Sequence, residues 1–188
     1  MSRSRHTSAD QPIVIVLSGH VGAGKTTLAE RLGQRLGFQR FTTRSAILQL
    51  VPDTPQTRLD LQAAGEILDR ESSGAWVAAA LLSELQRSPS PKRIAVDSIR
   101  TEKQMLHIRQ QISGRILHVH LTAPFAVLAA RYAAIASLPT EGVDYSTVLQ
   151  NETERQVDDL QQIADIVVNS DTPTVNETVT RVANAVGL

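Results

Sequence analysis

Three glycines, a lysine and a threonine fall within one short stretch, Gly19 to Thr26, directly after an apolar run at 13–17. Glycine adopts backbone angles that are closed to other residues, so this stretch can turn successive N–H groups towards one anion. Lys25 adds a cation, Thr26 adds a hydroxyl that can hold a metal ion, and a helix beginning here points its positive end at the same place. The spacing G-x-x-x-x-G-K-[ST] therefore predicts a loop that binds a nucleotide polyphosphate together with Mg²⁺. The residues predicted to contact the nucleotide are Gly19, His20, Val21, Gly22, Ala23, Gly24, Lys25, Thr26 and Thr27.

A second group of polar residues follows the apolar segment at 93–96. Asp97 is expected at the carboxyl end of a strand, where open parallel sheets bind ligands, and there it can hold magnesium or its waters. Arg100 and Gln104 are four residues apart, so on a helix they lie side by side and can grip a phosphate and the edge of a base. The alternative for Gln104 is a position on an amphipathic surface helix, and the spacing favours neither.

Three further residues suggest a second anion site away from the glycine-rich loop. Arg58 and Gln62 are again four apart, on a helical face different from that of Leu61 and Leu68. Arg44 follows the second predicted strand. We expect these residues to bind the acceptor substrate; because arginine is mostly a surface residue, the alternative for each is a solvated helix.

Apolar, strand-like runs alternate along the chain with helical patterns, which is typical of a parallel sheet with helices on both faces. The predicted strands are 13–17, 38–42, 93–97, 116–121 and 165–169. The predicted helices are 25–36, 57–70, 74–87, 101–112, 124–136, 146–163 and 173–186. In the last of these, Pro173 is expected at the first helical position and Gly187 ends the helix.

Length and composition favour one domain with a substantial core. The chain has 188 residues, of which 41% are hydrophobic, so we expect a disordered tail at 1–11 and a single domain at 12–188. The 19 basic and 19 acidic residues balance, which argues against a nonspecific nucleic-acid binder. Cysteine is absent and no apolar run reaches the roughly 18 residues that span a bilayer, so we expect a cytoplasmic protein without membrane contact. The composition leaves the oligomeric state open.

The segment DSIRTEKQ at 97–104 resembles the third-strand motif D-G-x-P-R-T-x-x-Q of the nucleoside monophosphate kinase family, of which adenylate kinase is the familiar member. It is one residue shorter and lacks the glycine and the proline. The resemblance implies that Arg100 contacts the acceptor phosphate and Gln104 its base. The stretch RLDLQAAGEILDRESSGAW at 58–76 also resembles the acceptor segment of phage-type deoxynucleoside monophosphate kinases and dephospho-coenzyme A kinases, where an arginine and LQ precede a glycine.

The segment LHVHLTAPFAVLAARY at 117–132 resembles the fourth strand and following helix of these kinases, which lead into a lid. The resemblance implies that Arg131 is the lid arginine and that 137–145 forms a short lid. Family members often carry a second arginine in the pattern R-x-x-x-R, and this chain has Ile135 at that place.

Arg155 and Asn169 are two further candidate site residues later in the chain. Arg155 shares a predicted polar helical face with Glu152 and Asp159, so it is a candidate to replace the charge absent at the lid; the alternative is an ordinary intrahelical ion pair. The run ADIVVNSD at 164–171 is similar to the last strand and loop that flank the donor adenine, which implies that Asn169 lies near this base.

Taken together, the resemblance implies an α/β, three-layer P-loop NTPase fold that forms a single P-loop kinase domain. It implies transfer of the γ-phosphate of ATP to a small phosphorylated acceptor, with a nucleoside or deoxynucleoside monophosphate as the first expectation. The residues implied to act in catalysis are Lys25, Asp97, Arg131 and Arg155, with Thr26 and Asp97 as metal ligands. The alternatives are a kinase of another small metabolite, such as dephospho-coenzyme A, and a nucleotide-responsive binding module with weak ATPase activity.

Two histidines and a tryptophan have structural explanations. His118 and His120 face one side of a predicted strand, where core packing is favoured over metal binding because no further ligands stand at matching spacing. Trp76 is expected to anchor the core, with stacking on a base as the alternative.

Overall fold

A computed structural model describes residues 11–87, 92–134, 145–150 and 152–188, together with all their side chains except those of Arg58, Glu152 and Thr153. The predicted tail therefore lies outside the described residues apart from Gln11, and so do Ile135 and the predicted lid apart from Tyr145.

A parallel sheet of five strands runs through the described part of the chain. The strands are β1 (Ile13–Ser18), β2 (Gln39–Thr42), β3 (Arg93–Asp97), β4 (Arg115–Thr122) and β5 (Ile166–Asn169). Their order is β2-β3-β1-β4-β5, and every neighbouring pair is parallel. Because β1 is central and its residues from Val14 to Leu17 are fully buried, the loop that follows it leaves the middle of the sheet.

Helices cover both faces of this sheet. The described helices are α1 (Lys25–Leu36), α2 (Thr43–Leu50), α3 (Arg58–Ser72), α4 (Ala75–Arg87), α5 (Glu102–Gln111), α6 (Phe125–Ala134), α7 (Tyr145–Leu149), α8 (Glu152–Arg155), α9 (Val157–Gln162) and α10 (Val175–Ala185). Alternate side chains of β1 point to opposite faces, so Val14 and Val16 pack with helices α2 to α5, whereas Ile15 and Leu17 pack with α1, α6 and α10. The predicted three-layer arrangement is confirmed.

The segment predicted as one helix over 146–163 is instead the three short helices α7, α8 and α9, so this prediction was wrong. Tyr145 and Glu154 are both buried, yet nine residues of continuous helix would place them on opposite sides. Breaks in the helix allow both side chains to face inward.

Two helix starts also differ from expectation. Helix α2 was not predicted; it begins after Thr42, whose hydroxyl accepts a hydrogen bond from the backbone N–H of Ser45. Helix α10 begins after Thr174 rather than at Pro173, because Thr174 and Glu177 form a reciprocal capping box.

None of the described helices combines the length and the apolar character that crossing a membrane requires.

Candidate nucleotide and acceptor site

The glycine-rich loop joins β1 to α1 and lies against β4 and α6. Gly19, Gly22 and Gly24 all have positive φ angles, of 132°, 87° and 89°. A Cβ atom at Gly19 would overlap the carbonyl of Leu121, and one at Gly22 would lie 2.9 Å from the carbonyl oxygen of Leu128. At these two positions the loop therefore needs glycine both for its backbone angles and for its close packing.

Lys25 curls back over the loop that precedes it. Its Nζ donates hydrogen bonds to the carbonyl oxygens of Gly19, at 2.6 Å, and His20, at 2.8 Å. The ammonium group thus lies at the start of α1, where backbone N–H groups and the helix dipole favour an anion. This arrangement suits the phosphates of a nucleotide.

Below the loop, Ser18 connects it to two buried histidines of β4. The Ser18 hydroxyl lies 2.6 Å from Nε2 of His118 and 2.9 Å from Nδ1 of His120. Burial lowers the pKa of each histidine to about 4, so both are neutral at neutral pH. Their role in the core agrees with the packing interpretation, and the described residues contain no cluster of three His, Cys, Asp or Glu that could hold a metal ion.

Thr26 and Asp97 come together where α1 begins and β3 ends. The Thr26 hydroxyl donates to Oδ2 of Asp97 over 2.9 Å, and the Asp97 side chain is only 7% exposed. Arg40, from β2, donates to the same oxygen from Nε at 3.0 Å and from one terminal nitrogen at 2.7 Å. The geometry brings the two predicted metal ligands together and adds an arginine that sequence reasoning missed.

His20, within the loop, contacts two carboxylates from the segment after α7. Its Nδ1 lies 3.2 Å from Glu154 and its Nε2 lies 2.8 Å from Asp158. The hydrogen bond with Glu154 raises the pKa of His20; burial opposes the shift and Asp158 adds to it. An imidazole donates from both nitrogens only when protonated, so the contacts favour a charged His20.

Glu154 is buried and also contacts Arg100, with 3.2 Å between its Oε1 and the nearer guanidinium nitrogen. Burial acts to raise the pKa of Glu154, but the hydrogen bond from His20 and the charges of Arg100 and Lys25 outweigh it and hold the pKa below its usual range. One buried carboxylate therefore joins the glycine-rich loop to Arg100. This link was not anticipated, although Glu154, Val157 and Leu160 repeat every three residues, a spacing that can mark an inward-facing stripe.

A cavity of about 1070 Å³ lies beside Lys25 and Thr26 and extends along helices α2 and α3 to the start of α5. It collects most of the side chains predicted to bind the acceptor. Those lining it are Arg44, Gln62, Arg100 and Gln104. Cationic side chains that were not predicted also line it, namely Arg40, Arg70 and Lys103.

Gln104 is buried in the wall of this cavity and is hydrogen-bonded to other residues of the wall. It is 2% exposed, its Oε1 accepts from the backbone N–H of Arg100 at 2.8 Å, and its Nε2 donates to the two carboxylate oxygens of Asp69 at 2.9 and 3.0 Å. Asp69 also accepts from Nε1 of Trp76 at 2.7 Å. The amide thus makes internal hydrogen bonds where base recognition was expected, because its position on α5 faces α3 across the wall.

Arg44 and Gln62, which were also predicted to bind the acceptor, are more open. Arg44 is exposed and donates to the backbone and side-chain oxygens of Gln56 at 3.3 and 3.1 Å. Gln62 donates to Glu66 on its own helix at 3.1 Å. Arg58 begins α3, and its side chain lies outside the described residues.

Arg131 bridges the glycine-rich loop and the loop after β5. It donates to the carbonyl of Gly22 at 3.4 Å and to the hydroxyl and carbonyl oxygens of Ser170, each at 2.9 Å. The Asn169 side chain accepts from the backbone N–H of Asp171 at 3.0 Å, which shapes the same loop. Arg131 therefore ties the loop after β5 to the glycine-rich loop, and the placement of Asn169 near the adenine stays a prediction. Arg155 lies exposed at the end of α8.

A family model for an AAA domain, AAA_18, matches residues 15–140, which include the glycine-rich loop and three of the five strands in full, β2, β3 and β4. The chain belongs to this family. Comparison with the curated proteins finds no match.

Solved structures of small-molecule kinases share the fold at low sequence identity. An APS kinase from Mycobacterium tuberculosis, in complex with AMPPNP and APS, has a TM-score of 0.62 and 12% identity, over 95% of this chain and 99% of that chain. A shikimate kinase from Bacteroides thetaiotaomicron has a TM-score of 0.60 and 16% identity, over 94% and 99%. A gluconokinase from Sinorhizobium meliloti has a TM-score of 0.57 and 20% identity, over 95% of each chain. The chain therefore has the fold of the P-loop kinases.

Proposed function

We propose that the protein transfers the γ-phosphoryl group of ATP to a small phosphorylated acceptor, a nucleoside or deoxynucleoside monophosphate. The observation that carries this proposal is the position of the cavity, which opens directly beside Lys25 and Thr26. A donor bound in the loop and an acceptor bound in the cavity would be neighbours, which is the arrangement that phosphoryl transfer requires. Solved structures with the same fold are of proteins named as kinases, which supports phosphoryl transfer as the general reaction.

The donor set at Thr26 and Asp97 fits magnesium, since a hydroxyl and a carboxylate are the hard oxygen ligands that this ion prefers. When bound, Mg²⁺ supplies charge neutralisation on the transferred phosphate. Lys25 neutralises the same phosphates from the loop, and its backbone contacts hold its ammonium group in place. Arg131 and Asn169 border the place proposed for the adenine, while the contribution of Arg155 remains a prediction.

The acceptor side supports an anionic substrate. Arg44, Arg70, Arg100 and Lys103 all line the cavity, and a guanidinium can grip a phosphate through two parallel hydrogen bonds. Transfer to a phosphate oxygen needs no protein base, because that oxygen already carries negative charge. A monophosphate is therefore the acceptor class that matches these groups best.

A hydroxyl acceptor is the second candidate, and a carboxylate of the cavity favours it. Glu66 lines the same space, and a carboxylate can take the proton from an attacking hydroxyl. Dephospho-coenzyme A belongs to this class, as do the shikimate, gluconate and APS after which the related kinases are named. A third candidate, a nucleotide-responsive module, draws support from Glu154, a buried carboxylate close to the phosphate loop.

The test measures ADP release from ATP and Mg²⁺ with a panel of ribo- and deoxynucleoside monophosphates, dephospho-coenzyme A, shikimate, gluconate and APS. Release that depends on one monophosphate supports the proposal and names the base and sugar. Release that depends only on a hydroxyl acceptor assigns the second function. Slow release that no acceptor stimulates assigns the binding module, with Lys25→Ala as the background control.

A further inference from the structure

Asp97 receives three hydrogen bonds on a single oxygen. Its Oδ2 accepts from the Thr26 hydroxyl and from two nitrogens of Arg40, at distances of 2.7 to 3.0 Å. Arg40 also lies 3.4 Å from the Thr26 hydroxyl oxygen. The guanidinium thus occupies the space beside both residues proposed to hold magnesium.

The fold holds Arg40 at this position from two sides. Arg40 is the second residue of β2 and pairs in register with Ala95 of β3, so its long side chain reaches along the sheet to Asp97. Glu30 on α1 contacts its other terminal nitrogen at 3.5 Å. The Arg40 side chain is still 37% exposed and faces the cavity, which leaves it room to move away.

We propose that Arg40 is an intrinsic counterion for Asp97, one of the two residues proposed to hold the metal ion. Arg40 neutralises Asp97 in the absence of a divalent cation and moves away from it when Mg²⁺ arrives with the nucleotide. This inference rests on the proposed function, since it concerns the same site. A nearly buried carboxylate without a partner is costly, so a cation beside Asp97 stabilises the empty site. A guanidinium and a divalent ion on one oxygen repel each other, so Arg40 and the metal compete.

Arginine suits this role better than lysine. It stays charged at every physiological pH, and its planar fork can place two nitrogens on one carboxylate, as Arg40 does. The competition predicts weak divalent-ion binding to the nucleotide-free protein. With nucleotide present, phosphate oxygens supply additional ligands and outweigh Arg40.

The experiment measures Mn²⁺ binding to the nucleotide-free protein by electron paramagnetic resonance. Arg40→Gln should bind Mn²⁺ about tenfold more tightly or better, the order expected when a unit charge a few ångström from the ion is removed. Arg44→Gln is the matched control, because it changes net charge equally and its contacts are to Gln56 rather than Asp97. Asp97→Asn should abolish the gain when combined with Arg40→Gln.

Unchanged Mn²⁺ affinity in Arg40→Gln overturns the inference, and so does an equal gain in Arg44→Gln, which would reflect net charge alone. If Arg40→Gln does not fold, Arg40→Lys provides the test: it keeps the charge but loses the two-nitrogen contact, so it should give a smaller gain. Metal binding is read without ATP or acceptor. If no acceptor stimulates ADP release, the Mn²⁺ affinities therefore still test the role of Arg40. If Arg40→Gln leaves the Mn²⁺ affinity unchanged, the kinase proposal is unaffected.

Discussion

The glycine-rich loop and the acceptor wall, which is the part of the cavity lining formed by side chains of α2, α3 and α5, border one cavity but are built in different ways. The loop from Gly19 to Gly24 is one continuous stretch that offers backbone groups at the start of α1. The wall is assembled from side chains of α2, α3 and α5, and several of them already bond to one another, as Gln104 does with Asp69. A site made from backbone is specified locally, whereas a site made from side chains depends on how distant elements pack.

This difference between the loop and the wall predicts that they respond differently to substitution. Removing a group from the loop should affect the chemistry and leave the fold intact. Removing a group from the wall should affect the fold, the acceptor, or both, because wall residues support one another.

The largest effect is expected for Lys25→Ala. The variant should lose phosphoryl transfer by about a thousandfold or more, the scale seen when a charge partner of the transition state is removed. Its unfolding midpoint should stay close to that of the parent, because Lys25 bonds to the loop and lies outside the core. Lys103→Ala, a lysine of the wall, is the control for removing a cation from the cavity. Near-normal turnover by folded Lys25→Ala would refute the kinase proposal.

The next effect concerns Arg100, which links the two sides through Glu154. Arg100→Ala should lower kcat/KM for every phosphorylated acceptor by about tenfold to a hundredfold, in line with the loss of a charge-assisted hydrogen bond. Affinity for AMPPNP, measured by calorimetry, should change little. An equal loss of AMPPNP affinity would instead place Arg100 on the donor side. Combining Arg100→Ala with Glu154→Gln shows whether the loss arises because Glu154 keeps only its contact with His20.

A smaller effect is expected for Gln104→Leu, which keeps the volume of the side chain and removes its amide. Asp69 and the backbone N–H of Arg100 each lose a partner, so the free energy of unfolding should fall by about 1–3 kcal/mol. Acceptor kinetics should weaken alike for all bases if Gln104 only supports the wall. Gln62→Leu, which removes a hydrogen bond within α3 alone, is the matched control for the unfolding measurement. Loss confined to acceptors with one kind of base would restore the original assignment of Gln104 to base recognition.

The smallest effect is the pH dependence of stability contributed by His20. Because Glu154 and Asp158 raise the folded pKa of His20, its contribution is complete below the unfolded value of 6.5 and is lost as pH rises through the folded pKa. The contribution should stay below about 1 kcal/mol, as for most partly exposed ion pairs. It is measured as the difference in unfolding free energy between the parent and His20→Gln from pH 5.5 to 8.5. A difference that is flat across this range contradicts the assignment.

The pKa values of His118 and His120 are shifted in the opposite direction to that of His20 and provide an internal check. Burial lowers their pKa to about 4, so the stability that depends on their neutral forms is lost as pH falls from 6.5 towards 4. Acid should therefore weaken the support that Ser18 and these histidines give the loop.

Short-range patterns in the sequence were enough to predict most of the fold. Apolar runs bounded by turns located the five strands to within two residues, and the glycine, lysine and threonine spacing located the loop. The cap of α2 and the breaks between α7, α8 and α9 escaped prediction, because helix limits depend on which residues are buried by the rest of the chain.

The sequence by itself determined the parallel sheet, the glycine-rich loop and the position of Asp97 at a strand end, since each follows from backbone preferences over a few residues. Only the tertiary structure decided the strand order and the partners of the charged side chains. Arg40 meets Asp97 across 57 residues, and His20 meets Glu154 across 134. Such pairs carry no local signal, because a long charged side chain has the same propensities whether it faces water or a carboxylate brought close by folding.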